Sequence, residues 1–417
     1  MNPNDNDELA LADDARELNC PACGYHVSVP FFDGGKQPLT VIAWPTDSRS
    51  AQDLPRLPLD FVRCIDCGHV YNASFDYSKI PYSEKPNLMF NQGSNWSEFI
   101  RDIRDKIIKL LPPDPVIVEI GHGDGSFLAA LAEGNTTGRY IGFDPLGANG
   151  TVSALELRTE MFEPSHHLSE LHPDIIITRH VLEHLMNPLG FLQQISFASH
   201  CAGIQPIAYF EVPCIDRAIE TGRTVDFYYE HNSQFTTESF SRMVNSCGAT
   251  VLEIGHGYDG EVIFGFLRLG SEPDHMTRAR EARSFYKGAQ LAHKTICDQL
   301  ADLHAQHKRV VVWGGTGKSA AFMHRYEMDA ARFPFVVDDD INKVDTYVPG
   351  TGQRIHFRDW LVKNPVDVII IPPQWRAADI ITAMKRSGIE ADLILIEHNG
   401  RLIDFRRDEH PYRTSRI

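Results

Sequence analysis

The sequence predicts an α/β protein with two doubly wound parallel sheets in succession, preceded by a small metal-held lobe. Three observations carry this. Residues 116–128 read VIVEIGHGDGSFL, an apolar run that turns through three glycines into a helix-forming segment. Residues 308–324, KRVVVWGGTGKSAAFMH, repeat that strand–glycine–helix pattern. Residues 20–24 and 64–68, CPACG and CIDCG, are two CxxC knuckles, each closed by a glycine.

Composition bounds the reading. A chain of 417 residues is long for one core, so two or three domains are expected, and 42% hydrophobic residues allow ordinary packed interiors. A net charge of −16 argues against a sequence-independent nucleic-acid binder, which needs a basic face. No apolar run approaches the roughly 20 residues a membrane helix needs. The first residues, MNPNDNDELALADDARELN, are acidic and lack a basic or apolar leader, so residues 1–17 are expected to be a disordered lead-in and the protein cytoplasmic. A small-molecule substrate is expected, with neither nucleic acid nor membrane as partner.

Within residues 18–80 the two knuckles bring Cys20, Cys23, Cys64 and Cys67 together as a closed tetrahedral set for Zn²⁺. Four thiolates leave no open coordination position, so the metal is read as structural. It would compensate for a lobe too small to bury much apolar surface. Cys201, Cys214, Cys247 and Cys297 are scattered and read as reduced thiols. The segment after the lobe is rich in Tyr, Asn and Ser, and Tyr71, Tyr77 and Tyr82 are placed to contribute phenols to a cleft or to pack the connection.

Residues 81–270 alternate strand and helix patterns. A helix is expected over about 96–111, followed by strands at VIVEI, RYIGF, ALELRTEMF, PDIIITRH and PIAYFEVP. TVLEIGHG and EVIFGFLRL alternate as a terminal antiparallel pair should. A strand that turns through glycines into a helix collects bare N–H groups at one point, which suits a nucleotide-like ligand. Glu119 before the glycines and Asp144 after the next strand can hold ribose hydroxyls or an ammonium group. Their spacing, about 20 residues from Gly125 to Asp144, fits a nicotinamide dinucleotide or S-adenosylmethionine.

Two stretches favour the methyl donor: Glu-x-Gly-x-Gly-x-Gly from Glu119, and RHVLEHLMNP from Arg179 to Pro188. They resemble the first motif and the post-strand segment of class I methyltransferases. The resemblance implies that Gly121 and Gly123 hold the methionine end and Asp144 the ribose. It implies that Met161 and Phe162 lie near the adenine, and Glu119 and His180 are counted with the donor site.

Downstream, VDFYYEHNSQF sets Tyr228, Glu230 and His231 close together after FEVP. With the Cys₄ lobe in front, the chain resembles the sugar C-methyltransferase family. Its members have an N-terminal zinc-binding lobe, a Rossmann-like methyltransferase core and a C-terminal Rossmann-like domain. The resemblance implies a C-methyltransferase acting on a keto-sugar nucleotide or related metabolite, as in natural-product biosynthesis. It implies His231 as general base, with Tyr228, Glu230 and Tyr82 in the active site. The family tends to carry Ala-Asn-Asn before Val-x-Ala-His, whereas this chain reads Thr178, Arg179, His180, then Val181, Leu182, Glu183, His184. That departure opens an alternative, N- or O-methylation of a different acceptor.

Residues 271–417 begin with a helical stretch and continue as a second glycine-turn domain. Gly315, Gly317 and Ala320 fit GxGxxA, and Asp338 ends the next strand. A P-loop would need glycine at position 312, which is Val312. Spacing alone would admit NAD and an oxidoreductase. The resemblance instead implies a domain that closes the substrate cleft. A non-catalytic interaction protein is the remaining rival, and it would bind no donor.

Overall fold

The computed structural model describes residues 11–41, 45–80, 91–135, 137–152, 155–270 and 273–413. The chain forms two compact units, Met1–Pro273 and Asp274–Ile417.

The first unit holds two sheets. One is antiparallel, in the order β1 (Arg16–Glu17), β2 (Val27–Pro38), β3 (Arg56–Cys64), β4 (Val70–Asn72), β11 (Ser233–Gln234). Its first strand corrects one expectation. The lead-in was expected to be disordered through residue 17, yet Arg16 and Glu17 pair with Ser28 and Val27, and the Arg16 guanidinium meets Asp60 at 2.8 Å. The last strand comes from far along the chain: Ser233 and Gln234 pair with Tyr71 and Val70. The knuckle lobe therefore shares a sheet with the segment that follows His231.

The second sheet runs β12 (Ala249–Gly257), β13 (Val262–Leu269), β10 (Ile207–Pro213), β9 (Ile175–Arg179), β5 (Val116–Ile120), β6 (Arg139–Phe143), β8 (Leu155–Arg158), β7 (Gly150–Val152). Strands β10, β9, β5, β6 and β8 are parallel, and β13, β12 and β7 join antiparallel at the edges. The central strands are apolar on both faces because helices cover both. Ile117, Val118, Ile175, Ile176 and Ile177 are buried, each contributing about 1.5–3 kcal/mol on transfer from water. The helix α1 (Ser94–Leu110) covers one face with Phe99, Ile103 and Ile107, close to the predicted span. α2 (Ser126–Ala132) follows the glycine turn and buries Phe127, Leu128 and Leu131.

The chain leaves β5 toward β6 on one side, then returns to β9 and leaves toward β10 on the other. The strand order thus reverses between β5 and β9. In open α/β sheets this reversal opens a crevice at the carboxyl ends of the strands, where ligands bind.

The second unit starts with the long helix α3 (Pro273–Ala305) and carries a six-stranded sheet. Its order is β16 (Ile355–Phe357), β15 (Phe335–Asp338), β14 (Val310–Trp313), β17 (Val368–Ile370), β18 (Leu393–His398), β19 (Arg401–Asp404), with only β19 antiparallel. This is a second Rossmann-like sheet. After β14 the Gly315 amide donates to the Asp338 carboxylate at 2.9 Å, tying the glycine turn to the end of β15. None of the described helices is long and apolar enough to cross a membrane.

Candidate active site

A cavity of about 840 Å³ opens over the carboxyl ends of β5, β6, β9 and β10. Its volume lies in the range of sites that bury a small organic ligand. Gly121, Gly123, Asp144, Met161, Phe162 and His180 all line it, as does Glu119.

The glycine end is built for close backbone approach. Gly121, Gly123 and Gly125 have φ of +79°, +57° and +76°, in the left-handed region. A Cβ on Gly121 would also collide with Val181 Cγ2. Asp144 is fixed beside this turn: Oδ2 accepts the Gly123 amide at 3.0 Å and Oδ1 the Leu146 amide at 2.9 Å. Phe162 packs edge-on against Phe143, with centroids 5.2 Å apart, while Met161 is exposed at the cavity wall. Both follow β8, so the third strand places them on the β6 side of the crevice, next to Asp144.

His122 lies between those glycines, buried, with neither ring nitrogen hydrogen-bonded among the described residues. Gly142 and Gly147 make room for it, since a Cβ on either would sit 2.6 Å from its ring. Burial lowers its pKa and keeps the ring neutral. The only sequence signal for this socket is glycine at positions 142 and 147, which does not point to a histidine by itself.

Between β5 and β9 lies a buried charged group. The Arg179 Nε contacts Glu211 Oε1 at 3.1 Å, and its Nη1 lies 3.9 Å from Glu119 Oε1. The guanidinium stacks on Phe127, 4.1 Å from the centroid, with Trp96 at 6.0 Å. Tyr209 hydrogen-bonds the second oxygen of Glu211. Burial pushes the Glu119 carboxyl up to about 8, outweighing Arg179. His180 follows with φ of +51°, a left-handed conformation unusual for a side-chain-bearing residue. That turn aims Nδ1 at Glu183 Oε1, 3.3 Å away, and Nε2 at Glu211 Oε1, 3.4 Å away.

At the other end of the cavity stand His184, Tyr228 and His231. The Tyr228 hydroxyl lies 2.8 Å from His231 Nδ1 and 3.0 Å from Nε2. The rings of His184 and His231 meet edge to face with centroids 4.8 Å apart, and His184 Nδ1 donates to the Glu230 carbonyl at 2.8 Å. Burial, then His184, push His231 down to about 3, well below the ordinary histidine value on which the sequence reading relied. The ring is therefore neutral at physiological pH and carries a lone pair. Burial raises the Tyr228 phenol, which stays a hydrogen-bond donor. Glu183 is buried among His180, His184 and His231.

Glu230 points elsewhere. Its Oε1 accepts the amides of Thr40 and Val41. Of the tyrosines after the lobe, Tyr77 lines the cavity, Tyr71 is buried against Ser28, and Tyr82 lies outside the described residues.

The four knuckle sulfurs fit a metal. Cys20 and Cys67 Sγ are 3.7 Å apart, as are Cys23 and Cys64 Sγ, and all four atoms lie within 4.8 Å of one another. Tetrahedral Zn–S bonds of about 2.3 Å imply S···S separations of about 3.8 Å.

Comparison with known proteins agrees with this architecture. Residues 94–254 match a family described as "Methyltransferase domain", and residues 269–396 match "C-methyltransferase C-terminal domain". No curated protein matches the chain. Among solved structures, the plantazolicin methyltransferase BpumL in complex with SAH is 14% identical. That match covers 42% of this chain and 85% of that one, with a TM-score of 0.33. Magnesium protoporphyrin IX methyltransferase (ChlM) from Synechocystis PCC 6803 with bound SAH is 12% identical, covering 44% and 90%, TM-score 0.30. The small RNA methyltransferase HEN1 is 18% identical, covering 46% of this chain but 27% of that one, TM-score 0.34. These likenesses span less than half of the chain and say nothing of the acceptor.

Residues 94–254 form a methyltransferase domain, and the chain is a methyltransferase with an α/β core. Its second domain is of the kind found at the C-terminus of C-methyltransferases.

Proposed function

We propose that the enzyme methylates carbon in a keto-sugar nucleotide or related small metabolite, with His231 as the base. The observation that supports this is the Tyr228–His231 pair, a neutral imidazole touching a protonated phenol, in the cavity that also holds the glycine cradle. A carbon beside a ketone becomes nucleophilic only when deprotonated. His231 takes that proton, the C–H electron pair moves toward the carbonyl, and the Tyr228 O–H donates to the developing oxyanion. When bound, S-adenosylmethionine supplies a sulfonium methyl group as electrophile. Gly121, Gly123 and Asp144 orient it, and Met161 and Phe162 flank its adenine. With His231 holding the proton and Tyr228 the oxyanion, the enolate carbon would be left as the nucleophile in line with that methyl, and the donor would depart as the neutral thioether with the bond pair on sulfur.

Structural Zn²⁺ at Cys20, Cys23, Cys64 and Cys67 belongs to the same proposal. So do the zinc lobe over residues 18–80, the methyltransferase domain over 81–270 and the acceptor-closing role of residues 271–417. A cytoplasmic enzyme without nucleic-acid or membrane partners completes it. Metal analysis of the purified protein checks the zinc, with one equivalent expected.

Methylation at N or O is the second reading. It is favoured by the carboxylates of Glu183, Asp226 and Glu261 in the cavity lining, the last two already paired with Arg223, and by Arg179, between β5 and β9, being the only guanidinium among the described lining residues. A diphosphate would find little to pair with there. Incubation with methyl-labelled donor and a panel of 4-keto nucleotide sugars separates the two. Carbon-bound label supports the first reading, and label on a heteroatom replaces it with the second.

A further inference from the structure

A short turn after β9 brings ligand-type side chains together at the acceptor end of the cavity. Glu183 and His184 belong to the 3₁₀ turn Leu182–His184. His231 comes from the loop ahead of β11, and its ring meets that of His184 with centroids 4.8 Å apart. One carboxylate oxygen of Glu183 and one ring nitrogen of each histidine lie within 4.8 Å of one another. All three residues line the cavity.

Glu183 is 1% exposed, and neither of its carboxylate oxygens has a hydrogen-bond partner among the described residues. Oε1 lies 3.3 Å from His180 Nδ1. A buried carboxylate is costly unless a cation or hydrogen-bond donors meet it. His184 already has the tautomer of a metal ligand. Its Nδ1 donates to the Glu230 carbonyl at 2.8 Å, which leaves Nε2 with its lone pair. The Tyr228 hydroxyl lies 2.8 Å from His231 Nδ1 and can accept from the ring N–H, leaving the other nitrogen to ligate.

We infer that Glu183, His184 and His231 form a binding site for a divalent transition-metal cation, separate from the four cysteines. Two imidazoles and a carboxylate suit zinc or cobalt rather than magnesium or calcium, and leave a fourth position for water. A tetrahedral set with bonds of about 2.0–2.2 Å has its ligand atoms about 3.4 Å apart. The side chains therefore draw in by up to about 1.4 Å from their present limit of 4.8 Å. The cation takes the lone pair that His231 needs as a base, so methyl transfer is held off while it is bound. That consequence, unlike the site itself, rests on the proposed base role of His231.

The test titrates Co²⁺ into the full-length protein with zinc already in the knuckles. Uptake is read by equilibrium dialysis and by the visible d–d absorption of cobalt. One equivalent should bind without the intense thiolate-to-cobalt charge-transfer bands that cysteine ligands would give. Glu183→Gln and His184→Ala should each weaken it at least about 100-fold, beyond the 10- to 100-fold that loss of an outer-shell partner costs. Affinity for S-adenosylhomocysteine, read by calorimetry, should be the same with and without Co²⁺. No uptake by wild type overturns the inference, as does uptake only with thiolate bands or uptake that survives both substitutions. Loss of S-adenosylhomocysteine affinity on adding cobalt also overturns it, since the cation would then lie in the glycine cradle. The wild-type titration decides even if neither variant folds. Methyl transfer to the acceptor found with labelled donor should fall as the site fills and return on chelation. Undiminished transfer with the site filled upholds the cation site and removes His231 as the base, so the two failures stay distinct.

Discussion

The carboxylate of Glu230 and the backbone of Thr40 are joined across 190 residues of chain: Oε1 accepts the Thr40 amide at 2.7 Å, and the Val41 amide at the same distance. A residue next to the candidate base thus closes the end of the hairpin strand that begins beside the first knuckle. Glu230→Ala strands two amides and should cost about 3 kcal/mol. Glu230→Gln keeps an acceptor oxygen and should cost about 1 kcal/mol. Denaturant unfolding of the metal-loaded protein reads both.

His231→Ala should lower turnover roughly 10²- to 10⁴-fold, the usual contribution of a positioned base. Affinity for S-adenosylhomocysteine should not change, because among the described residues the ring contacts are with Tyr228 and His184 and not with Gly121, Gly123 or Asp144. Single-turnover kinetics beside calorimetry makes the comparison. Normal turnover in this variant would end the base assignment.

Donor affinity should depend on pH through Glu119. Burial holds its carboxyl up to about 8 in the donor-free protein, so it is largely protonated at neutral pH. Of the two groups that the sequence reading lets Glu119 hold, ribose hydroxyls or an ammonium, the ammonium favours the ionised form and lowers that value. Binding between about pH 5 and 8 therefore releases up to one proton, and affinity rises with pH across this window. Calorimetry in buffers of different ionisation enthalpy measures the proton. Uptake rather than release would contradict the sign.

Gly121→Ala should weaken donor binding about tenfold or more for two separable reasons. A left-handed φ of +79° strains any residue with a Cβ, by about 1–2 kcal/mol, and the new methyl collides with Val181. Adding Val181→Ala should recover the steric part and leave the backbone part. Dialysis with labelled S-adenosylhomocysteine distinguishes one variant from the other.

What sequence reading reached was what is local. A strand, three glycines and a helix lie within a few residues of one another, so Gly121, Gly123 and Asp144 could be placed together before any coordinates. So could the knuckles, because a two-residue gap sets the geometry of each sulfur pair. Met161 and Phe162 follow a third strand whose pairing with β6 is long-range, so their place beside Asp144 is not marked by any local pattern. Glu230 lay beyond reach for a different reason. Its partners are the amides at Thr40 and Val41, and an amide carries no residue-type signature. The titration of His231 was hidden in the same way, because an ordinary value assumes water around the ring. The strand at Arg16 escaped because its support, Asp60, sits on a distant strand with no periodic pattern linking the two.

The pairing of Ser233 and Gln234 with Val70 and Tyr71 makes the knuckle lobe part of the frame that carries His231. Two inputs are then handled by separate parts of one unit. The glycine cradle stands on the parallel sheet and answers to donor supply. The acceptor loop is threaded onto a sheet whose other strands reach the four cysteines. On the proposed assignments, loss of zinc from the four cysteines would disturb the His231 end first and leave the glycine cradle able to capture the donor.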